Sequence, residues 1–271
     1  MSTIRLDKYL ADAGIGTRSQ VKNYIKKKMV MINGTITTHP EYKVNLDTDS
    51  VTFQGNVVSL SEFEYYILNK PAGYVTATKD NVNPTVMSLI EASRKDLAPV
   101  GRLDKDTEGL LLITNDGELA HRLLSPKHHA EKTYYAVLNH FVDQTVIDAF
   151  SNGIEVNDSE PFKALPAKLE ILNEPLYIKS DYYNELFPDI KTLFSDGAAD
   201  KESPDSCNYA ELGYVLITIC EGKYHQVKRM FKAVDREVLY LRRISFAGLS
   251  IPDDLVSGDY CQIKPADIYN N

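Results

Sequence analysis

The chain has 271 residues, of which 43% are hydrophobic and 25% charged, with a net charge of −8 at pH 7. That composition excludes a disordered or fibrous protein and leaves room for about two globular domains. No apolar run approaches the ~20 residues that cross a bilayer, and the N-terminus, M-S-T-I-R-L-D-K-Y-L, is charged where a signal peptide needs an apolar core. The expected setting is therefore cytoplasmic, with no membrane partner.

The acidity is unevenly spread. Residues 1–35 carry seven basic side chains against two acidic ones, whereas residues 170–211 carry ten acids against three lysines. A basic head masked by an acidic segment elsewhere is the asymmetry expected when one end meets phosphate. Cys207, Cys220 and Cys261 match neither a disulfide framework nor a zinc knuckle, and the adjacent His128 and His129 point in different directions. No metal site is expected.

In chain order, Leu6, Tyr9, Leu10 and Ala13 follow helical spacing, and Gly14-Ile15-Gly16 ends that helix. Thr17-Arg18-Ser19-Gln20 reads as a capping box that starts a second one. There Val21, Tyr24 and Ile25 form the inward stripe, while Arg18, Lys22 and Lys26 recur every four residues on one outward face. Acids between Thr17 and Ser50 occur only at Glu41, Asp47 and Asp49. M-V-M-I-N-G-T-I-T reads as two strands around Asn33-Gly34, and V-T-F-Q-G-N-V-V-S-L supplies another pair. With R-L-D-K-Y-L-A near the start and V-M-I-N-G after the basic helix, residues 1–60 resemble the S4 RNA-binding domain. The resemblance implies that Arg18, Lys22, Lys26 and Lys27 contact an RNA backbone.

Residues 61–64 read as a short polar linker, and 65–271 as one mixed domain. Y-Y-I-L-N-K-P-A-G-Y-V reads as strand, turn, strand; Leu110 to Thr114 as a buried strand; Asn115-Asp116-Gly117 as a turn; and Glu118 to Leu124 as a short helix. Lys132 to Leu138 alternates as a strand, 143–151 is helical, and Ala167 to Leu172 is a strand. Residues 173–211 lack periodicity and read as a variable acidic insertion on the surface. Tyr214 to Cys220 then reads as a strand, Lys223 to Val234 as a helix, and Glu237 to Ile251 as strands.

G-R-L-D-K-D-T-E-G, Gly101 to Gly109, places a highly polar loop directly before an apolar strand. It lacks the Gly-Lys-Ser/Thr ending of a phosphate loop. Asp104 with Asp106 or Glu108 is compatible in spacing with a carboxylate pair acting on a sugar, so a hydrolase stays open on the residues alone.

Three ordered blocks narrow the reading: G-R-L-D-K-D-T-E-G-L-L-L-I-T-N-D-G-E-L-A-H-R-L, then S-P-K-H-H-A-E-K-T-Y, then E-G-K-Y-H-Q-V-K-R-M-F. Together they resemble the RsuA family of ribosomal RNA pseudouridine synthases, and the H-Q-V-K-R-M form is similar to its small-subunit branch. The resemblance implies an α+β catalytic domain on a mostly antiparallel mixed sheet with flanking helices. It implies isomerisation of one uridine of 16S ribosomal RNA, flipped from its stack, by a monomer acting on a small-subunit assembly intermediate. That chemistry has no redox step, so no cofactor is expected.

By the same resemblance Asp104 acts at the ribose, either on C1′ or on the 2′ proton, and Lys228 is the cation that keeps it ionised. Tyr134 is the aromatic that stacks on the extruded base. Arg102 fills the vacated space, Arg229 is a neighbouring candidate contact, and Ile217 and Ile219 form an apolar floor. The alternatives are a 23S ribosomal RNA uridine or an S4-type ribosome-binding protein with an inactive catalytic fold.

Overall fold

The structure is a computed structural model that describes residues 3–58, 63–92, 94, 96–176, 178–188, 211–264 and 267–268. Residues 61–62 of the expected linker and residues 189–210 of the acidic segment, Cys207 among them, lie outside the described residues. The chain divides into two compact units, Met1–Glu64 with Ala92–Leu97, and Tyr65–Glu91 with Ala98–Asn271.

In the first unit β1 (Thr3–Arg5) leads into α1 (Leu6–Asp12) and α2 (Arg18–Lys26), followed by β2 (Val30–Ile32), β3 (Thr35–Ile36), β4 (Lys43–Asn45), β5 (Val51–Phe53) and β6 (Asn56–Val58). The capping box forms as read. Gln20 N donates to Thr17 Oγ1 at 3.3 Å, and Thr17 N donates to Gln20 Oε1 at 2.9 Å. Leu6, Leu10, Val21, Ile25, Val30 and Val44 make the core. The strands run β3-β2-β5-β6, and β1 pairs separately with β4. Both tight hairpins have two central residues at positive φ, Asn33 and Gly34 in one and Gln54 and Gly55 in the other, which is the twist that two-residue hairpins favour. Arg18, Lys22, Lys26 and Lys27 are all exposed.

The second unit is built on a nine-stranded sheet. Its elements are β7 (Tyr65–Lys70), β8 (Ala98–Pro99), β9 (Glu108–Thr114), α3 (Gly117–Leu124), β10 (Lys132–Leu138), α4 (Gln144–Asn152), β11 (Glu155–Val156), β12 (Phe162–Lys163), β13 (Lys168–Leu172), α5 (Asp181–Leu186), β14 (Gly213–Ile219), α6 (Gln226–Lys232), β15 (Val238–Phe246), β16 (Leu249–Ser250) and β17 (Tyr260–Ile263). The sheet order is β13-β14-β10-β15-β9-β7-β17, with β16 on β15 and β8 on β9; β11 and β12 form a separate hairpin. Every pairing in the sheet is antiparallel except that of β9 with β15.

That parallel junction positions the polar loop. Gly109 sits opposite Arg243 at φ 103°, and a Cβ there would lie 2.2 Å from the Arg243 carbonyl oxygen. Only glycine lets the two backbones approach so closely. β9 is buried at every position, so the strand behind the loop is fixed on both faces.

Three expectations need correction. The first concerns 173–211, whose described part is not confined to the surface. Ile178, Tyr183 and Phe187 are buried with Tyr135 and Tyr240 in one cluster, the Tyr183 ring lies 4.6 Å from that of Tyr240, and Ser180 caps α5. A six-residue helix of aromatic and acidic residues is too short to show a stripe. Second, no strand follows Pro71-Ala72-Gly73; Val75 makes only an isolated bridge to Thr85. Third, the last helix begins at Gln226 rather than Lys223, because His225 is left-handed at φ 49°.

No helix among the described residues is long and apolar enough to cross a membrane. Because Gly109 faces backbone, Gly109→Ala should destabilise the fold by ~2 kcal/mol or more. Thermal unfolding measures this, and an unchanged midpoint would contradict the close approach.

Candidate active site

The loop from Gly101 to Thr107 is held from beneath and from the side before any charged side chain is considered. Thr76 Oγ1 donates to the Leu103 carbonyl at 2.7 Å and accepts from Leu103 N at 3.1 Å. Gly73 N donates to the Lys105 carbonyl at 2.8 Å. Under the loop, the fully buried Lys70 Nζ donates to the carbonyls of Pro71, Lys105 and Thr107 at 3.0, 3.2 and 2.8 Å. An ammonium has three hydrogens, and all three are used. Burial lowers the Lys70 pKa to about 8, against the raising effect of Glu108, Asp106 and Asp104.

Glu108, also buried, fixes the start of β9. It accepts from Tyr240 OH at 2.6 Å, Ser180 Oγ at 2.8 Å and Ala72 N at 3.1 Å. The segment after Lys70 and helix α5 are thereby tied to the strand that carries the loop.

On the loop's outer side, Lys228 from α6 donates to both oxygens of Asp106 at 2.7 and 2.6 Å and lies 3.9 Å from Asp104 Oδ2. His225 Nε2 lies 3.5 Å from Asp104 Oδ1. Burial pushes the Asp106 carboxyl up, but the hydrogen bond and charge of Lys228 outweigh it and hold the group below its ordinary value. The expected partnership of Lys228 with Asp104 is thus shared, with the tighter contacts going to Asp106. Asp104 itself is half-buried, 27% exposed at the side chain.

Asp104, His225 and Lys228 line a cleft of about 560 Å³, within the size range of sites for small organic groups. Asp104, Tyr134, Lys228, Arg102 and Ile219 all line it, Tyr134 buried and Arg102 exposed. Two expected contacts do not. Arg229 is turned away because successive helical residues diverge by about 100°. It donates to Asp158 at 2.7 and 2.6 Å and stacks 4.7 Å over Phe162, pinning the β11–β12 hairpin; the hydrogen bonds from Arg229 hold Asp158 at about 2. Ile217 is fully buried, between Tyr134 on β10 and Leu169 on β13.

Sequence reasoning missed Lys70, His225, Lys132 and Arg243 as site residues; the last three line the cleft. A signal existed for Lys132, which stands two residues before Tyr134 and so shares its strand face. Among the described residues no group of three or more His, Cys, Asp or Glu side chains could hold a metal ion. Chemically, the arrangement offers a half-buried carboxylate with neighbouring cations, opening onto an aromatic and aliphatic wall, which suits attack on, or proton removal from, a sugar.

The Lys70 value has a stability consequence. Between about pH 8 and the ordinary lysine value the unfolded chain keeps a proton that the folded chain has released, so this group's contribution to stability rises with pH. The unfolding free energy of the protein relative to Lys70→Met should therefore increase by ~2 kcal/mol from about pH 7 to about pH 10. Urea titrations at the two pH values check this; a flat or falling difference would contradict it.

The chain is similar to known proteins along nearly its whole length. The RNA pseudouridylate synthase model matches residues 64–233 and the S4 domain model residues 4–49. An uncharacterized RNA pseudouridine synthase of Bacillus subtilis, YtzG, is 38% identical over 98% of this chain and 97% of its own. The ribosomal small subunit pseudouridine synthase A of Vibrio parahaemolyticus is 36% identical over 95% of this chain and 94% of its own. A crystal structure of a pseudouridylate synthase superposes with a TM-score of 0.60 at 33% identity, covering 98% of both chains. With a polar loop, a cleft and full-length relatives all in agreement, the chain belongs to the RNA pseudouridylate synthase family and carries an S4 domain at its N-terminus.

Proposed function

We propose that this pseudouridine synthase isomerises one uridine of 16S ribosomal RNA, acting as a monomer on a small-subunit assembly intermediate. The name and full-length similarity of the Vibrio relative support the small-subunit target. The observation that carries the chemistry is the convergence of Asp104, Lys228 and Tyr134 on one cleft.

A uridine enters the cleft only after leaving its stack, at a cost of a few kcal/mol. Arg102, exposed at the mouth, suits the role of filling the vacated space and holding the flanking backbone. Tyr134 offers its ring to the extruded base, with Ile219 beside it. Asp104 then meets the ribose. Its carboxylate either bonds to C1′ as the N1–C1′ bond breaks, or takes the 2′ proton and later returns it. Lys228, held between Asp106 and Asp104, keeps that corner charged in a partly desolvated site. Release of the base, its rotation and the joining of C5 to C1′ complete an isomerisation that consumes nothing.

Two measurements test the reading. In cells lacking the gene, carbodiimide mapping of ribosomal RNA should show one missing pseudouridine in 16S, restored by the wild-type gene and not by Asp104→Asn. A restored site in 23S would move the target to the large subunit, and an unchanged map would remove the activity. For the N-terminal domain, replacing Arg18, Lys26 and Lys27 by alanine should weaken RNA binding and flatten the slope of log K against log salt by about 2 to 3. An unaltered slope would leave these side chains without phosphate contacts.

A further inference from the structure

Two buried cations in the cleft have no carboxylate within ion-pair distance among the described residues. Lys132 is 9% exposed and Arg243 2%. Lys132 Nζ donates to the Ala130 carbonyl at 2.7 Å, and Arg243 Nε to the Leu110 carbonyl at 2.8 Å. Arg243 Nη2 is buried with no hydrogen-bond acceptor. Among the described residues neither side chain forms an ion pair. The nearby Glu221 is taken up by Lys223, Gln226 and the Leu165 amide.

Both cations sit over the same ring, Lys132 Nζ 5.5 Å and Arg243 Cζ 4.9 Å from the centre of Phe246. Ring contact offsets part of the burial cost, yet two like charges on one ring repel, and each lowers the cost of receiving an anion. Burial lowers the Lys132 pKa and Arg243 adds to that effect, against the weaker raising effects of Cys220 and Glu221.

Their register decides which anion fits. Lys132 and Tyr134 alternate onto one face of β10, and Arg243 is the cross-strand partner of Tyr134 on β15. The pair therefore flanks Tyr134 on the buried sheet face. A backbone phosphate belongs at the mouth, where the strand passes. A pyrimidine lying against Tyr134 brings its ring edge, with two carbonyl oxygens, to the floor.

We propose that Lys132 and Arg243 form a cationic floor that takes up the negative charge of the uracil as it leaves the ribose. This rests on the synthase reading above. When the N1–C1′ bond breaks, its electron pair departs with N1, and the charge spreads over N1, O2, C5 and O4. Asp104 balances the sugar side by bonding to C1′, or by taking the C2′ proton and returning it. When C5 joins C1′ the ring supplies the electron pair of the new bond, and in the covalent route the Asp104 carboxylate leaves C1′ with its own pair; C5 then loses its proton and N1 gains one. Donors already aimed at the developing charge stabilise that step without reorganising.

The test uses full-length protein and ribosomal RNA carrying either uridine or 5-fluorouridine at the target, in single-turnover reactions at saturating enzyme. Fluorine stabilises the base anion, so it substitutes in part for the cations. Loss of the original nucleoside is followed by digestion and mass spectrometry. Lys132→Met should slow uridine conversion roughly 100-fold and 5-fluorouridine conversion distinctly less, with RNA affinity unchanged. Lys132→Arg, which keeps the charge, should retain most of the rate.

Equal losses on both substrates would overturn the proposal, as would an unaltered rate or a loss of affinity alone, which would mark a backbone contact. Circular dichroism checks the fold, and Lys132→Gln takes the place of Lys132→Met, with the same outcomes, if the latter unfolds. A wild-type protein that converts neither substrate would instead refute the synthase reading.

Discussion

The polar loop from Gly101 to Thr107 has one shape because a single ammonium beneath it has no freedom left. Lys70 is fully buried and spends its three hydrogens on three carbonyls, two of them belonging to the loop residues Lys105 and Thr107. Those contacts give the backbone a fixed curvature, and Glu108 anchors the point where the loop becomes strand. A carboxylate that must meet a ribose atom needs such support, since displacement by about 1 Å is enough to cost catalysis heavily. The loop's acids in turn help retain the charge on Lys70. Loop and support stabilise one another.

Charge in the cleft is arranged in two groups with different partners. Asp104 and Asp106 share Lys228, whose hydrogen bonds and charge hold the Asp106 carboxyl below its ordinary value. Lys132 and Arg243 face the same cleft over Phe246 and form no ion pair among the described residues. A heterolytic cleavage has the same two requirements: an electron-rich group for the sugar and an electron-poor surface for the departing base. The parallel pairing of β9 with β15, made possible by Gly109, brings the strand bearing Arg243 against the strand bearing the loop.

Local signals in the sequence translated well into structure. Thr17 and Gln20 form the capping box, Asn33-Gly34 makes its hairpin, and the apolar run from Leu110 is a buried strand. Each depends on neighbours a few residues apart. What was hidden depends on distant ones. Lys70 after an apolar strand reads as a charge escaping to solvent, and only the return of the chain at 105–107 shows that it turns inward. Arg229 and Lys228 are adjacent in one block, yet the helix sends one to the cleft and the other to Asp158. Tyr183 lies in a segment whose acids suggest a surface, while its ring fills a core made by β10 and β15.

In the proposed function the Asp104 carboxylate drives an exchange of N1 for C5 at the ribose. That exchange expels the C5 hydrogen of one uridine into water. Release of tritium from ribosomal RNA labelled at uracil C5 is the most direct measure. The account predicts about one equivalent per RNA molecule with the wild-type protein and none above background with Asp104→Asn. Comparable release by the two proteins, or none by the wild type on protein-bound 16S and 23S RNA, would contradict it.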